Sequence, residues 1–136
     1  TVSDSVELGI MIETPAAVMT SDIIAKEVDF FNIGTNDLEQ FTFALDRQNP
    51  CYDRVSPKNH RALLRMIKMV CDNAHANGIK AGICGEIAGD PTLTEIFLEL
   101  DMLSVVPSRV LPLRKAVRSI SLKDPKKAEN DLKLFL

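Results

Sequence analysis

FFNIGTNDLEQFT, residues 30–42, changes its periodicity within a single step. Phe30, Phe31 and Ile33 belong to an apolar run of strand length that stops at Gly34; Thr35, Asn36 and Asp37 follow, and a helical pattern opens over 37–45. A short apolar run passing directly into a helix is the mark of a βα unit. The junction has two explanations. It is either a turn with a helix cap and no chemistry, or one wall of an anion and metal site.

The same alternation extends on both sides. VELGIMIE (6–13) is an apolar run of strand length, and in TPAAVMTSDIIAKEV (14–28) Ala17, Ile24 and Val28, with Val18 and Met19, form a helical stripe with Pro15 in its first turn. The second strand spans 28–34, and the turn residues Asn49-Pro50 and Ser56-Pro57 mark a loop over 46–57. In 58–78, Leu63, Ile67, Val70 and Ala74 recur at helical spacing, and Gly78 occupies a C-cap position. IKAGIC (79–84) predicts the third strand, and 90–100 a helix with Asp90 as N-cap and Pro91 at its first position. Residues 101–107 predict the fourth strand and 108–120 the fourth helix. Four βα units with near-continuous apolar strands imply an α/β fold with a parallel sheet buried under helices. Two architectures satisfy this: a small open doubly wound sheet, or half of a (β/α)8 barrel, whose full length is about 250 residues.

Composition narrows the function. The 136 residues, 46% hydrophobic and 26% charged, suit one globular domain. A net charge of −3 without a basic block gives no reason to expect nucleic acid. No apolar run approaches the ~18–20 residues of a membrane span, and no signal peptide is recognisable. Cys51, Cys71 and Cys84 are an odd count without C-x-x-C spacing, which argues against a disulfide framework or zinc site and for a reducing, cytoplasmic setting. The start at Thr1 reads as a piece of a longer protein or a processed N-terminus.

In parallel α/β sheets function gathers at the carboxyl ends of the strands. Those ends carry Glu13, then Gly34-Thr35-Asn36-Asp37, then Cys84-Gly85-Glu86, then Pro107-Ser108-Arg109. Neighbouring strands lie about 4.8 Å apart, so Glu13 and Asp37 can converge on one point. Two close carboxylates either share a proton or hold a cation, and oxygen ligands alone favour Mg2+ or Mn2+. The alternative is that both acids merely cap the helices that follow. Asn36 adds an uncharged donor, Gly34 admits close backbone approach, and Arg47 can fold back over the same mouth to grip phosphate or carboxylate. Cys84, flanked by Gly82 and Gly85, is not placed like the core residue Cys71; nucleophile, proton donor and small filler all remain open for it.

GIMIETPAAV, FFNIGTNDLEQFTFALDR, GICGEIAGDP and SVVPSRVLPLRKAVR, in that order, resemble the C-terminal part of Enzyme I of the bacterial sugar phosphotransferase system. The resemblance runs from about Val6 to Ile120. Pyruvate phosphate dikinase and phosphoenolpyruvate synthase share the G-T-N-D and C-G-E motifs, while DLEQFTFALDR and PSRVLPLRK favour Enzyme I. The resemblance implies the second half of a (β/α)8 barrel over 1–121, with 122–136 a charged tail or peripheral helix. It further implies phosphoenolpyruvate as substrate with Mg2+, Glu13 and Asp37 as metal ligands, Asn36, Asp37 and Arg47 as substrate-binding residues, and Cys84 as the acid that protonates the enolate carbon. The phosphocarrier protein HPr is the implied partner of the intact enzyme.

Two departures stand at the fourth strand, Met102 and Val106, where the family commonly has an acid and a serine. Neither His60 nor His75 resembles the family's acceptor histidine, and the arginines of the earlier strands lie outside this sequence. The chain is therefore expected to be inactive alone. A competing expectation is a catalytically silent half-barrel acting as an interaction module. In either case two open sheet edges favour self-association, as a homodimer or larger.

Overall fold

The computed structural model describes residues 5–46, 48–49 and 61–121. Four strands, β1 (Gly9–Ile12), β2 (Phe30–Gly34), β3 (Lys80–Cys84) and β4 (Met102–Leu103), form one parallel sheet in the order β1-β2-β3-β4. Strands consecutive in sequence lie side by side throughout. A doubly wound sheet reverses direction at a switch point, whereas a (β/α)8 barrel does not, so the order fits half of such a barrel.

The register organises the two faces. Ile12, Ile33, Ile83 and Leu103 align across all four strands, and the first three are fully buried. With Phe31 and Ala81 they pack under the helices α1 (Pro15–Met19), α2 (Ser21–Ile24) and α4 (Arg61–Ala76), the last contributing the expected stripe of Leu63, Ile67, Val70 and Ala74. Asn73 on α4 donates to the buried Ser21 hydroxyl at 2.8 Å and locks α4 to α2. One residue along, Met11, Asn32, Gly82 and Met102 align on the opposite face. There Met11 is 41% and Met102 49% exposed, so the surface that lines a barrel's interior is open.

Helix ends follow the sequence closely. Thr14 caps α1 by accepting the Ala17 N–H at 3.2 Å. Gly78 (φ +74°) ends α4 in a Schellman arrangement, with Gly78 N–H donating to His75 O at 3.0 Å and Ile79 N–H to Ala74 O at 3.1 Å. The helix α3 (Thr35–Phe43) follows β2 without an intervening loop, and α5 (Pro107–Ser119) follows β4.

Three expectations are corrected. The helix predicted over 14–28 breaks at Thr20, whose hydroxyl donates back to Ala16 O at 3.0 Å while its own backbone leaves helical angles. The helix predicted over 90–100 is a run of turns after the 3-10 turn Glu86–Gly89. Its bonds are mostly three residues long (Leu93 to Asp90, Ile96 to Leu93, Leu100 to Phe97), and Thr92 donates its N–H and its hydroxyl to the Asp90 carboxylate. Asp90 thus closes a local turn and follows the 3-10 turn instead of capping a helix, because such side-chain bonds compete with regular helix. The fourth strand, predicted over 101–107, shrinks to Met102–Leu103. The tail 122–136 and much of the 46–57 loop lie outside the described residues.

Candidate active site

Glu13 immediately follows Ile12, the register partner of Ile33, so it stands beside Gly34; Gly34 in turn pairs with Cys84. The Glu13 side chain crosses over Gly34: a β-carbon on Gly34 would collide with Glu13 Oε1 and lie 2.6 Å from its Cγ. That crossing aims the carboxylate toward β3. The Cys84 thiol accordingly titrates above its ordinary range, raised first by burial and then by the Glu13 charge, with Asp37 adding to it and the Asn32 side chain opposing it. Glu13, Asp37 and Cys84 therefore stand on one rim, although they are far apart in sequence.

Neither carboxylate is a helix N-cap. Thr14, not Glu13, caps α1, and Asp37 lies inside the first turn of α3, whose N-cap is Gly34 and offers no side chain. The amides at the start of α3 are thus without a capping side chain from that residue, in a position that favours negative charge.

The loops after β2 and β3 are interlocked. Thr35 Oγ1 donates to the Cys84 carbonyl at 2.8 Å, and the Glu86 N–H donates to Asn36 Oδ1 at 3.0 Å. Gly85 adopts φ +102°, and a β-carbon there would strike Thr35 Oγ1 and come within 2.9 Å of Asn36 Oδ1. Only glycine satisfies both the left-handed backbone and the close approach. The Glu86 N–H thus engages the carbonyl end of the Asn36 amide and leaves its NH2 end unused by that bond. Asn36, Gly85, Glu86, Asp90, Ser104 and Arg109 line an adjoining cavity of about 680 Å³.

The four residues Glu13, Asn36, Asp37 and Cys84 are all half-buried at this rim; Arg47 lies outside the described residues. Sequence reasoning missed Asn32 and Thr35. Asn32 left a signal, since it is the one polar residue in an apolar strand and stands at the alternation of Phe30 and Gly34. The lock made by Thr35 left none. Cys71 behaves as the core residue expected: burial, then Glu99, Asp72 and Asp101, push its thiol up to about 11 against the opposing Lys68. His75 pairs with Asp101 at 2.9 Å, and the same carboxylate oxygen accepts the Ala81 N–H near the start of β3, at the amino end of the sheet and away from the rim.

No helix among the described residues is long and apolar enough to cross a membrane. Residues 1–122 match the model of the family described as PEP-utilising enzyme, PEP-binding domain. The chain is 47% identical over 121 residues to the phosphoenolpyruvate-protein phosphotransferase of Listeria monocytogenes, covering 88% of this chain and 21% of that protein. It is 41% identical over 125 residues to the protein of that name from Haemophilus influenzae (90% and 22%) and 45% over 130 residues to that from Lactococcus lactis (94% and 22%). The chain thus spans about a fifth of the length of these curated relatives. With a parallel sheet and strand-end motifs to match, it belongs to the PEP-binding domain family of PEP-utilising enzymes.

Proposed function

We propose that this chain forms one wall of a site where the phosphoryl group of phosphoenolpyruvate passes to a protein histidine, releasing pyruvate, within a larger phosphotransferase serving sugar uptake in the cytoplasm. The observation that supports the reading is the Glu13 side chain crossing Gly34, the register partner of Cys84, at the carboxyl rim where Asp37 lies in the first turn of α3. The relatives at 41–47% identity are named phosphotransferase, which favours that activity over the dikinase and synthase chemistries sharing the same motifs.

The donor set suits a hard divalent cation. Among the described residues no three His, Cys, Asp or Glu side chains form a metal cage. Two carboxylates are the number Mg2+ commonly takes from protein when substrate oxygens and water fill the other positions. Glu13 and Asp37 would hold Mg2+ or Mn2+, which when bound supplies charge neutralisation at the phosphoryl and enolate oxygens. Asn36 donates to a phosphate oxygen beside the open start of α3, and Arg47 clamps phosphate and carboxylate. In the transfer the bridging P–O bond breaks and an N–P bond forms on the acceptor histidine. The enolate left behind takes a proton at C3 from the Cys84 thiol. A thiol is ordinarily protonated at neutral pH, and burial raises this one further, which is the state a proton donor needs and the wrong state for a thiolate nucleophile. His75 is engaged at the opposite end of the sheet, so the acceptor comes from another segment or partner, with HPr next in the relay.

In the intact protein, Cys84→Ala is expected to abolish pyruvate formation while Mn2+ binding persists, and Glu13→Gln or Asp37→Asn to weaken Mn2+ binding. Full pyruvate formation by Cys84→Ala would overturn the assignment. Turnover by residues 1–136 alone would show that this wall suffices.

A further inference from the structure

We propose that residues 122–136 of this chain return as a strap into the groove between α5 and the turns over 90–101, with Leu132 and Phe135 filling it and Glu129 meeting Arg114 and Arg118. The inference stands apart from the chemistry of the rim and concerns a surface of the fold that the candidate site does not use.

The helix α5 is weakly held by what it packs against. Of its 13 residues only Leu113 is buried, while Val110, Leu111 and Val117 are exposed. Pro112 inside it withholds a backbone N–H, and helices of this length draw most of their stability from packing an apolar face. Beside Leu113 runs a groove of about 410 Å³, with Phe97, Leu100 and Leu103 on one wall and Leu113 and Val117 on the other. Phe97 and Leu113 are buried, whereas Val117 is 39% exposed. Arg114 and Arg118, one helical turn apart, edge the same groove, and neither pairs with an acid among the described residues. Asp101, the acid in the lining, is already engaged by His75 and the Ala81 N–H. The groove is therefore apolar with a basic edge.

The sequence beyond Ser121 supplies the complement. Asp124-Pro125 is a helix-start signal; Ala128, Leu132, Phe135 and Leu136 recur at i, i+4, i+7 and i+8, and Glu129 borders that stripe. Position favours this occupant over a foreign one. Because α5 ends at Ser119, the strap starts at the Arg118 end of the groove and needs only to turn back. The way from Arg118 to Leu113 is about 8 Å along the helix axis, and the stretch from Ser121 to Leu132 covers about 16 Å even if wholly helical. The strap thereby secures α5, whose first turn carries the Arg109 that lines the rim cavity.

The test uses the intact protein with a photoreactive benzophenone amino acid in place of Phe135. On illumination it is expected to label residues 97–103 or 113–118 of the same chain; labelling of another surface, or of a second, differently tagged copy, would overturn the proposal. Hydrogen exchange gives an independent measure. Leu132→Asp with Phe135→Asp is expected to speed exchange across 97–103 and 113–118 about 10- to 100-fold, the factor that burial of a leucine-sized side chain supplies. Exchange in β3 is expected to stay at the wild-type rate, which shows that the fold persists. Arg114→Glu with Arg118→Glu is expected to speed exchange in the same segments, and Glu129→Arg in that background to slow it again. Unchanged exchange in the Leu132→Asp, Phe135→Asp protein, or no recovery on exchanging the charges, would overturn the proposal.

Discussion

Gly34→Ala places a methyl group where the Glu13 side chain crosses from β1 toward β3. The added β-carbon would sit 2.6 Å from Glu13 Cγ, against an ordinary carbon–carbon contact of about 3.5–4.0 Å. The Glu13 chain must therefore shift by roughly 1 Å. The backbone at Gly34 (φ −87°, ψ 89°) is open to alanine, and the obstacle is the flexible end of a side chain, so stability is expected to change by less than about 1 kcal/mol. A functional group displaced by ~1 Å costs on the order of 100-fold, or about 2.7 kcal/mol. The expected result is a loss of that order in Mn2+ affinity and pyruvate formation, with an unchanged unfolding midpoint. Mn2+ titration followed by electron paramagnetic resonance, beside thermal unfolding of the intact protein, separates the two effects. Adding Glu13→Gln to Gly34→Ala is expected to cost little more. Wild-type Mn2+ affinity in Gly34→Ala would refute the reasoning, because the carboxylate would then not depend on crossing an empty α-carbon.

Ala44 ends α3 in the left-handed region (φ 51°) and is exposed; Ala44→Gly is expected to raise stability by about 0.5–1 kcal/mol, the relief of strain exceeding the added freedom of the unfolded chain, and a lower unfolding midpoint would refute this. Burial pushes the Asp101 carboxyl up, but the Ala81 N–H and His75 together outweigh it and hold the group below its ordinary range. Its stabilisation is thus fully present above about pH 4 and is lost as pH falls through the depressed folded value, so Asp101→Asn is expected to be the less stable protein at neutral pH, with the gap closing in acid; a gap constant down to pH 2 would contradict this. Among the described residues β1 and β4 have no outer partner strand, and with the exposed Met11 and Met102 this predicts that the chain, prepared by itself, self-associates; a sharp monomer in sedimentation velocity at micromolar concentration would exclude it.

The βα alternation was legible because each change of period is local: Phe31 and Ile33 share one face of a strand, and Leu63, Ile67, Val70 and Ala74 one face of a helix, whatever surrounds them. Gly78 was legible for the same reason, since its left-handed cap needs no distant partner. The helix over 90–100 was not, because two threonines and Asp90 form side-chain bonds that apolar periodicity does not weigh. At the site, residue types at strand ends picked out Glu13, Asn36, Asp37 and Cys84. What they could not supply is register. That Glu13 passes over Gly34, and that Asn32 shares a row with Gly82 beside Cys84, depends on which residues of separate strands align. A slip of one residue would turn each of them to the other face.

Register also favours one of the two explanations of the 30–42 junction. If Glu13 and Asp37 served only as helix caps, each would occupy an N-cap position and accept the first free amides of its helix. Thr14 does this for α1, and Gly34 stands at that position for α3. Both acids instead stand on the rim that carries the half-buried Cys84 thiol, and both disfavour its ionisation. Two carboxylates on one rim, neither spent as a helix N-cap, are placed to share a divalent cation. The strand stops at Gly34 because a side chain at that point would occupy the path by which Glu13 reaches its neighbours.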